Sequence, residues 1–180
     1  MAGGLFALDL ATNLGWTCAP VPPGPPPTAL VLASVRMPEP PGGIYRVGTP
    51  GCSVGAFLSD YGDWFDRKLA ALEPAGVIYE APILPKMANH HTSLKLMGLA
   101  VLTATICYRR KVHLLGCEQP STVKKHFTGH GDADKPAIIA TCMNLGWNPI
   151  DDNHADSMAL WSLGCHRVQD AARQRRGRAA

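Results

Sequence analysis

One short stretch, DDNHADSMALW, gathers Asp151, Asp152, Asn153, His154 and Asp156 where an apolar helical pattern begins. Only 14 acidic residues occur in 180, so the crowding concentrates a scarce residue type. Two further acids, Asp9 in LFALDL and Glu80 in GVIYEAP, end apolar runs that read as buried strands. A carboxylate in such a place is costly unless it meets a hydrogen bond, a cation or a metal. Oxygen donors converging from separate segments suit a hard divalent cation, magnesium or manganese rather than zinc. Two such ions about 4 Å apart can activate a water and hold the leaving oxygen of a phosphodiester. Taken singly, each acid has an ordinary explanation: Asp152 as a helix cap, Asp156 as a first-turn acid, Asp9 and Glu80 as lysine partners. Four together, each at an element end, point to a metal site. On a helix starting near 152, Asp152 and Asn153 share the face of Asp156, whereas His154 does not.

The elements that must position these residues follow from periodicity. Residues 5–10 read as a strand, GWTCA as a second and ALVLASVRM as a third, in an antiparallel meander. PVPPGPPP offers almost no backbone donors and reads as an exposed connection, and PEPPGGIYRVGTPG reads as a long loop. Apolar residues at 54, 57, 58, 61, 64, 65, 69 and 72 predict a helix over 53–72. GVIYEAP is a central strand, 92–109 an apolar helix with small residues on one side, and VHLLGCE a fifth strand. Helices follow from Pro120, from Asp134 to Leu145, and from about Asp152. This order predicts an α/β fold: a five-stranded mixed sheet, three antiparallel strands and then parallel ones, flanked by helices. In it the first and fourth strands are central neighbours, and Asp9 and Glu80 project from one edge.

Composition narrows the class. Apolar content of 46% and charge of 17% fit a single globular domain, and a net charge of +3 does not by itself announce a nucleic-acid binder. The end of the chain says more: RVQDAARQRRGRAA sets Arg167, Arg173, Arg175, Arg176 and Arg178 against Asp170, either a frayed solvated tail or a phosphate-seeking arm. The N-terminal run lacks a basic n-region and contains Asp9, a poor signal peptide. LMGLAVLTATICY is too short to span a bilayer, so no membrane role is expected. Six cysteines without a CxxC argue for reduced thiols, and Cys117, Cys165 and His166 match no usual zinc spacing.

The same segments, in order, resemble the RuvC-type Holliday-junction resolvases of the RNase H-like nuclease fold. LFALDLATNLGWTCA is similar to that family's first hairpin, VIYEAP to its second acidic strand and TSLKLMGLAVLTATICY to its long helix. STVKKHFTGHGDADKPAI resembles its lysine and Gly-x-Gly segment, and DDNHADSMAL its closing acidic helix. The resemblance implies a nuclease domain over 1–166, followed by the basic tail 167–180. It implies a homodimer through the 92–109 helix that binds branched DNA and nicks four-way junctions symmetrically, in recombination and repair. The implied cofactor is Mg2+, with Mn2+ substituting, two ions per site. Asp9, Glu80 and Asp156 carry over as ligands, and Lys124 and Lys135 fall on the basic positions of the site. The position three before the last acid is Asn153, a weaker ligand and no base. Asp152 is the favoured replacement, with Asn153 and His154 as alternatives. After Glu80, Ile83 or Leu84 would wedge into the junction. Lys86, His90, His91, Lys95, Lys124, Lys125 and Lys135 would meet DNA.

Other readings share features. DLATNLG also opens sugar-kinase and actin-like ATPase folds, which are longer and need a second glycine-rich turn. An RNase H-like RNA-processing nuclease has the acids without the lysine–glycine segment. A binder of branched DNA with a lost metal site would explain Asn153. The expected setting is cytoplasmic, in a bacterial or phage-infected cell.

Overall fold

The structure, a computed structural model, describes residues 3–29, 38–84, 87 and 89–178. The elements are β1 (Leu5–Asp9), β2 (Asn13–Ala19), β3 (Gly42–Arg46), α1 (Val54–Leu72), β4 (Gly76–Glu80), α2 (His90–Arg110), β5 (His113–Glu118), α3 (Pro120–Thr128), α4 (Lys135–Asn144) and α5 (Asp152–Arg178). The sheet has the order β3-β2-β1-β4-β5, with β1–β2 and β2–β3 antiparallel and β1–β4 and β4–β5 parallel. The mixed five-stranded architecture expected from the sequence is thus present.

β1 explains why an uninterrupted apolar run belongs at the centre. Its side chains alternate between two covered faces, so both sets must be apolar. Leu5 and Ala7 enter one core with α3, α4 and α5, while Phe6 and Leu8 enter the other with α1 and α2. The helices begin where short polar side chains can take an orphan N–H. Ser53 caps α1, Asn89 caps α2 and Asp134 caps α4.

Two elements depart from or add to expectation. The third strand is Gly42–Arg46, inside the segment read as a loop. Most of ALVLASVRM, residues 30–37, lies outside the described residues. Glycine masks the strand because packing requires it: a Cβ on Gly42 would stand 2.3 Å from His154 Nε2, and one on Gly43 3.2 Å from the Trp16 ring. Tyr45 then anchors β3, stacking on Trp64 at 4.6 Å and donating its hydroxyl hydrogen to Asp60 at 2.8 Å. The second concerns the basic stretch, read from sequence as either a frayed tail or a phosphate-seeking arm: α5 continues through it to Arg178.

α5 is also held by the proline-rich loop. Proline withdraws N–H donors but leaves carbonyls free. Ser162 donates to the Pro27 carbonyl at 2.5 Å, and the Gln169 amide donates to Pro22 at 2.8 Å and Gly24 at 2.7 Å. The loop works as a strap of acceptors across the helix.

Candidate active site

The parallel pairing of β1 with β4 sets Asp9 opposite Glu80, and β5 extends the row by setting Glu118 opposite Glu80. Alternate residues share a strand face. Leu5, Ala7 and Ile78 belong to the core under α5, so Asp9 and Glu80 lie on that same face, at the carboxyl edge of the sheet. Neighbouring strands stand about 4.8 Å apart, which leaves the two carboxyls within one side-chain rotation of each other.

Asp156 arrives from the second turn of α5, and five contacts fix that approach. Asp151 starts the helix: its Oδ1 accepts the His154 N–H at 2.9 Å, and its carbonyl accepts that of Ala155 at 3.1 Å. Gly15, the β2 partner of Asp9, then lets the first turn sit directly on the sheet. A Cβ at Gly15 would lie 1.8 Å from the Asn153 carbonyl oxygen. Finally, the Thr17 and Ser157 hydroxyls share a buried hydrogen bond at 2.7 Å, and the Trp161 indole donates to the Ala19 carbonyl at 3.1 Å.

The crowded stretch therefore divides its labour. Asp151, not Asp152, is the cap. Asp152 opens the helix and pairs with Lys135. The Asn153 amide donates to Asp151 at 3.2 Å. His154 is buried, its Nδ1 accepting the Ile150 N–H at 3.2 Å and its ring lying against Gly42 of β3. The charges acting on His154 are those of Glu39 and Asp151, which separates it from the central acids.

Electrostatics ties the central acids together. Desolvation, then the charge of Asp156, raises Asp9 to about 7 against the opposing field of Lys135. Glu80 is raised to about 8 by desolvation first and by Asp9 and Asp156 next, with Lys124 opposing. Asp156 rises to about 6, again through desolvation, while Lys135 and Lys124 pull it down. The hydrogen bond from Lys135 holds Asp152 below its ordinary range. Three carboxyls that resist ionising together, with two ammonium groups acting on them, form a donor set suited to a hard divalent cation. Among the described residues no three His, Cys, Asp or Glu side chains stand close enough together to hold a metal ion.

This arrangement makes a pH-dependent prediction. In the unfolded chain these acids release protons near 3.8 to 4.5, whereas in the fold they hold them up to about 6, 7 and 8. Folding therefore takes up protons across that window, and without a divalent cation their contribution to stability falls as pH rises from about 4 to 8. A cation favours the ionised acids. Thermal melts should show Mg2+ or Mn2+ raising Tm more at pH 8 than at pH 5, relative to chelator; equal gains at both pH values would count against a cation held by these acids.

The other expected site residues are dispersed. Lys125 is exposed on α3, and Ile83 and Leu84 are 69% and 43% exposed after β4. His90 and His91 are exposed at the start of α2, and Lys86 lies outside the described residues. Lys95 is engaged within the protein, donating to the Cys52 carbonyl at 2.7 Å and lying over the Phe57 ring. Of the zinc alternative, Cys117 is exposed, Cys165 is buried and His166 pairs with Asp170. Sequence reasoning missed Glu118, although VHLLGCE carries the same signal as β1 and β4, an apolar strand ending in an acid. In the structure Glu118 accepts both Arg167 donors, at 3.0 and 3.1 Å. No described helix is long and apolar enough to cross a membrane.

No family model matches the chain, and no curated protein matches it by sequence. Solved structures do match by shape. RuvC from Thermus thermophilus superposes with a TM-score of 0.70 at 16% identity, over 93% of this chain and 96% of that one. T. thermophilus RuvC in complex with a Holliday junction substrate gives 0.66 at 16% identity, over 89% and 91%. The yeast mitochondrial Holliday junction resolvase Ydc2 gives 0.64 at 11% identity, over 96% and 81%. At these identities the likeness is one of fold.

Proposed function

We propose that this chain is a structure-selective DNA endonuclease that resolves four-way junctions by divalent-metal-dependent phosphodiester hydrolysis. One observation carries the reading: Asp9 and Glu80 end neighbouring central strands at one sheet edge, and the charge of Asp156 on α5 acts on both, with Lys124 and Lys135 opposing. The shape shared with Holliday junction resolvases supports the choice of substrate.

Asp9, Glu80 and Asp156 would hold the metal, with Asp152 the favoured fourth ligand. Bound divalent ions supply an activated water and stabilise charge developing on the phosphodiester. Lys124 and Lys135 act as point charges for the scissile phosphate. Asn153 supplies no base and braces Asp151 instead. Exposed Ile83 and Leu84 have the apolar character of a wedge against unstacked bases, and His90 and His91 are exposed at the start of α2.

The dimer belongs to the same proposal. On α2, Leu94, Met97, Val101 and Tyr108 recur at helical spacing and are 44%, 48%, 64% and 87% exposed. An apolar stripe of this length on a monomer surface calls for a partner, and a second copy would supply the paired active site that symmetric nicking requires. The protein would then act in the cytoplasm on DNA undergoing recombination or repair.

A synthetic mobile four-way junction, incubated with and without Mg2+, tests the reading. Paired symmetric nicks only with metal, from a species sedimenting at twice 19.2 kDa, are expected. Binding without cleavage would instead support an inert branched-DNA binder. Cleavage restricted to RNA or flaps would defeat the junction assignment.

A further inference from the structure

The C-terminal third of α5 has left the core. Residues 171–178 are all exposed, yet the helix persists to Arg178. Beyond Cys165 it carries Arg167, Arg173, Arg175, Arg176 and Arg178 against the single acid Asp170. Arg167 is spent on Glu118 and Arg173 on Asp170. Among the described residues, Arg175, Arg176 and Arg178 have no ion-pair or hydrogen-bond partner. Three free guanidinium groups within four residues repel one another, a cost that a polyanion would remove.

The root of this arm is braced. The Arg167–Glu118 fork ties it to β5, the Gln169 amide ties it to the proline-rich strap, and His166 stacks on His126 at 5.3 Å. An open cleft of about 750 Å³ separates the arm from the sheet, lined by Leu115, Val168, Ala171, Ala172, Arg175 and Arg176. The arm is therefore a positioned cationic rod rather than a loose tail. Its apolar side offers only Val168, Ala171 and Ala172, without the large apolar residues by which a helix enters a lipid interface.

We propose that residues 167–178 form a second DNA-binding surface that grips the phosphate backbone of one duplex arm of the substrate, at a distance from the acids. The proposal rests on the nuclease reading above. From Asp156 to Arg175–Arg178 the helix rises about 30 Å at 1.5 Å per residue. That corresponds to roughly nine base pairs of duplex, at about 34 Å per turn. Arginine supplies fixed charge and forked donors to phosphate oxygens without reading bases. The arm then adds affinity and register without adding sequence preference.

The test is the salt dependence of binding by full-length protein and the variant R175Q/R176Q/R178Q, on junctions with arms of about 20 base pairs and with hairpin-capped arms of about 6. Each phosphate neutralised contributes about 0.9 to the slope of log affinity against log salt. On long arms the variant's slope should be shallower by about 5, three arginines from each copy of the proposed dimer at about 0.9 each, and R175K/R176K/R178K should restore most of it. On short arms the two proteins should coincide. Equal slopes on long arms would overturn the proposal, as would a deficit of the same size on short arms, which would place the arginines at the junction centre. Arginine-dependent sedimentation with phosphatidylserine vesicles, with the DNA slope unchanged, would overturn it in favour of a membrane surface. These results are separable from failure of the nuclease reading, in which wild-type protein would cut no junction at all.

Discussion

Replacing Asp156 with asparagine should lower metal-dependent junction cleavage by about a thousandfold or more while junction binding survives. Ligand loss removes several kcal/mol of charge stabilisation that only the metal-loaded site provides, and each 1.4 kcal/mol is about tenfold in rate. The phosphate contacts proposed for Lys124, Lys135 and the arm are untouched. The substitution should not weaken the fold in chelator, because Asp156 is a carboxyl whose ionised form burial disfavours and whose charge in turn raises Asp9 and Glu80. Cleavage under single-turnover conditions, binding by gel shift and a thermal melt in chelator together check this. Lost binding with retained cleavage would overturn the site. The same assay applied to Asp152→Asn and Asn153→Ala identifies the completing ligand: on the proposed assignment Asp152→Asn should lose cleavage and Asn153→Ala, whose amide donates to Asp151, should lose little.

Gly15→Ala should be the most damaging single methyl addition near the site. Its Cβ would meet the Asn153 carbonyl oxygen at 1.8 Å and the Asn153 carbonyl carbon at 2.3 Å, both backbone atoms that no rotamer can move. Either α5 lifts from β2 or β2 bends from β1, and either motion strains the Thr17–Ser157 hydrogen bond and carries Asp156 away from Asp9. Severe overpacking costs about 3 kcal/mol, which lowers Tm by about 6 to 12 °C in a domain of this size. Cleavage should fall even below the new Tm, since geometry is lost as well as stability. A variant with native Tm and native rate would show that the first turn of α5 does not depend on this contact.

The legible part of the molecule was the part in which one residue type has one reason to be present. Asp9 and Glu80 stood out because acids closed apolar runs, and the parallel register of β1 and β4 brought them together as that pattern implied. α5 was legible from the apolar period after Asp156. β3 was not, because its glycines answer to Trp16 and His154, residues distant in the chain, and so look like a turn. The choice among Asp151, Asp152, Asn153 and His154 was equally hidden. It depends on Lys135 reaching Asp152 and on Gly42 admitting the His154 ring, neither of which helical spacing contains. The helicity of the arm was not legible for a different reason: five arginines do not show whether a stretch frays, whereas a helix already anchored by the core and by the strap needs little more to continue.

The topology of the acids carries a kinetic consequence. Asp9 meets Glu80 only after β1 closes a loop across α1, and Asp156 joins only when nearly the whole chain has been made. Closing such long loops is entropically unfavourable and rewarded late. An early fragment therefore cannot assemble the three acids, and any activity that depends on them requires the folded tertiary structure. During refolding, activity should return together with the fluorescence of Trp16, Trp64, Trp147 and Trp161, which sample both faces of the sheet, and never ahead of it.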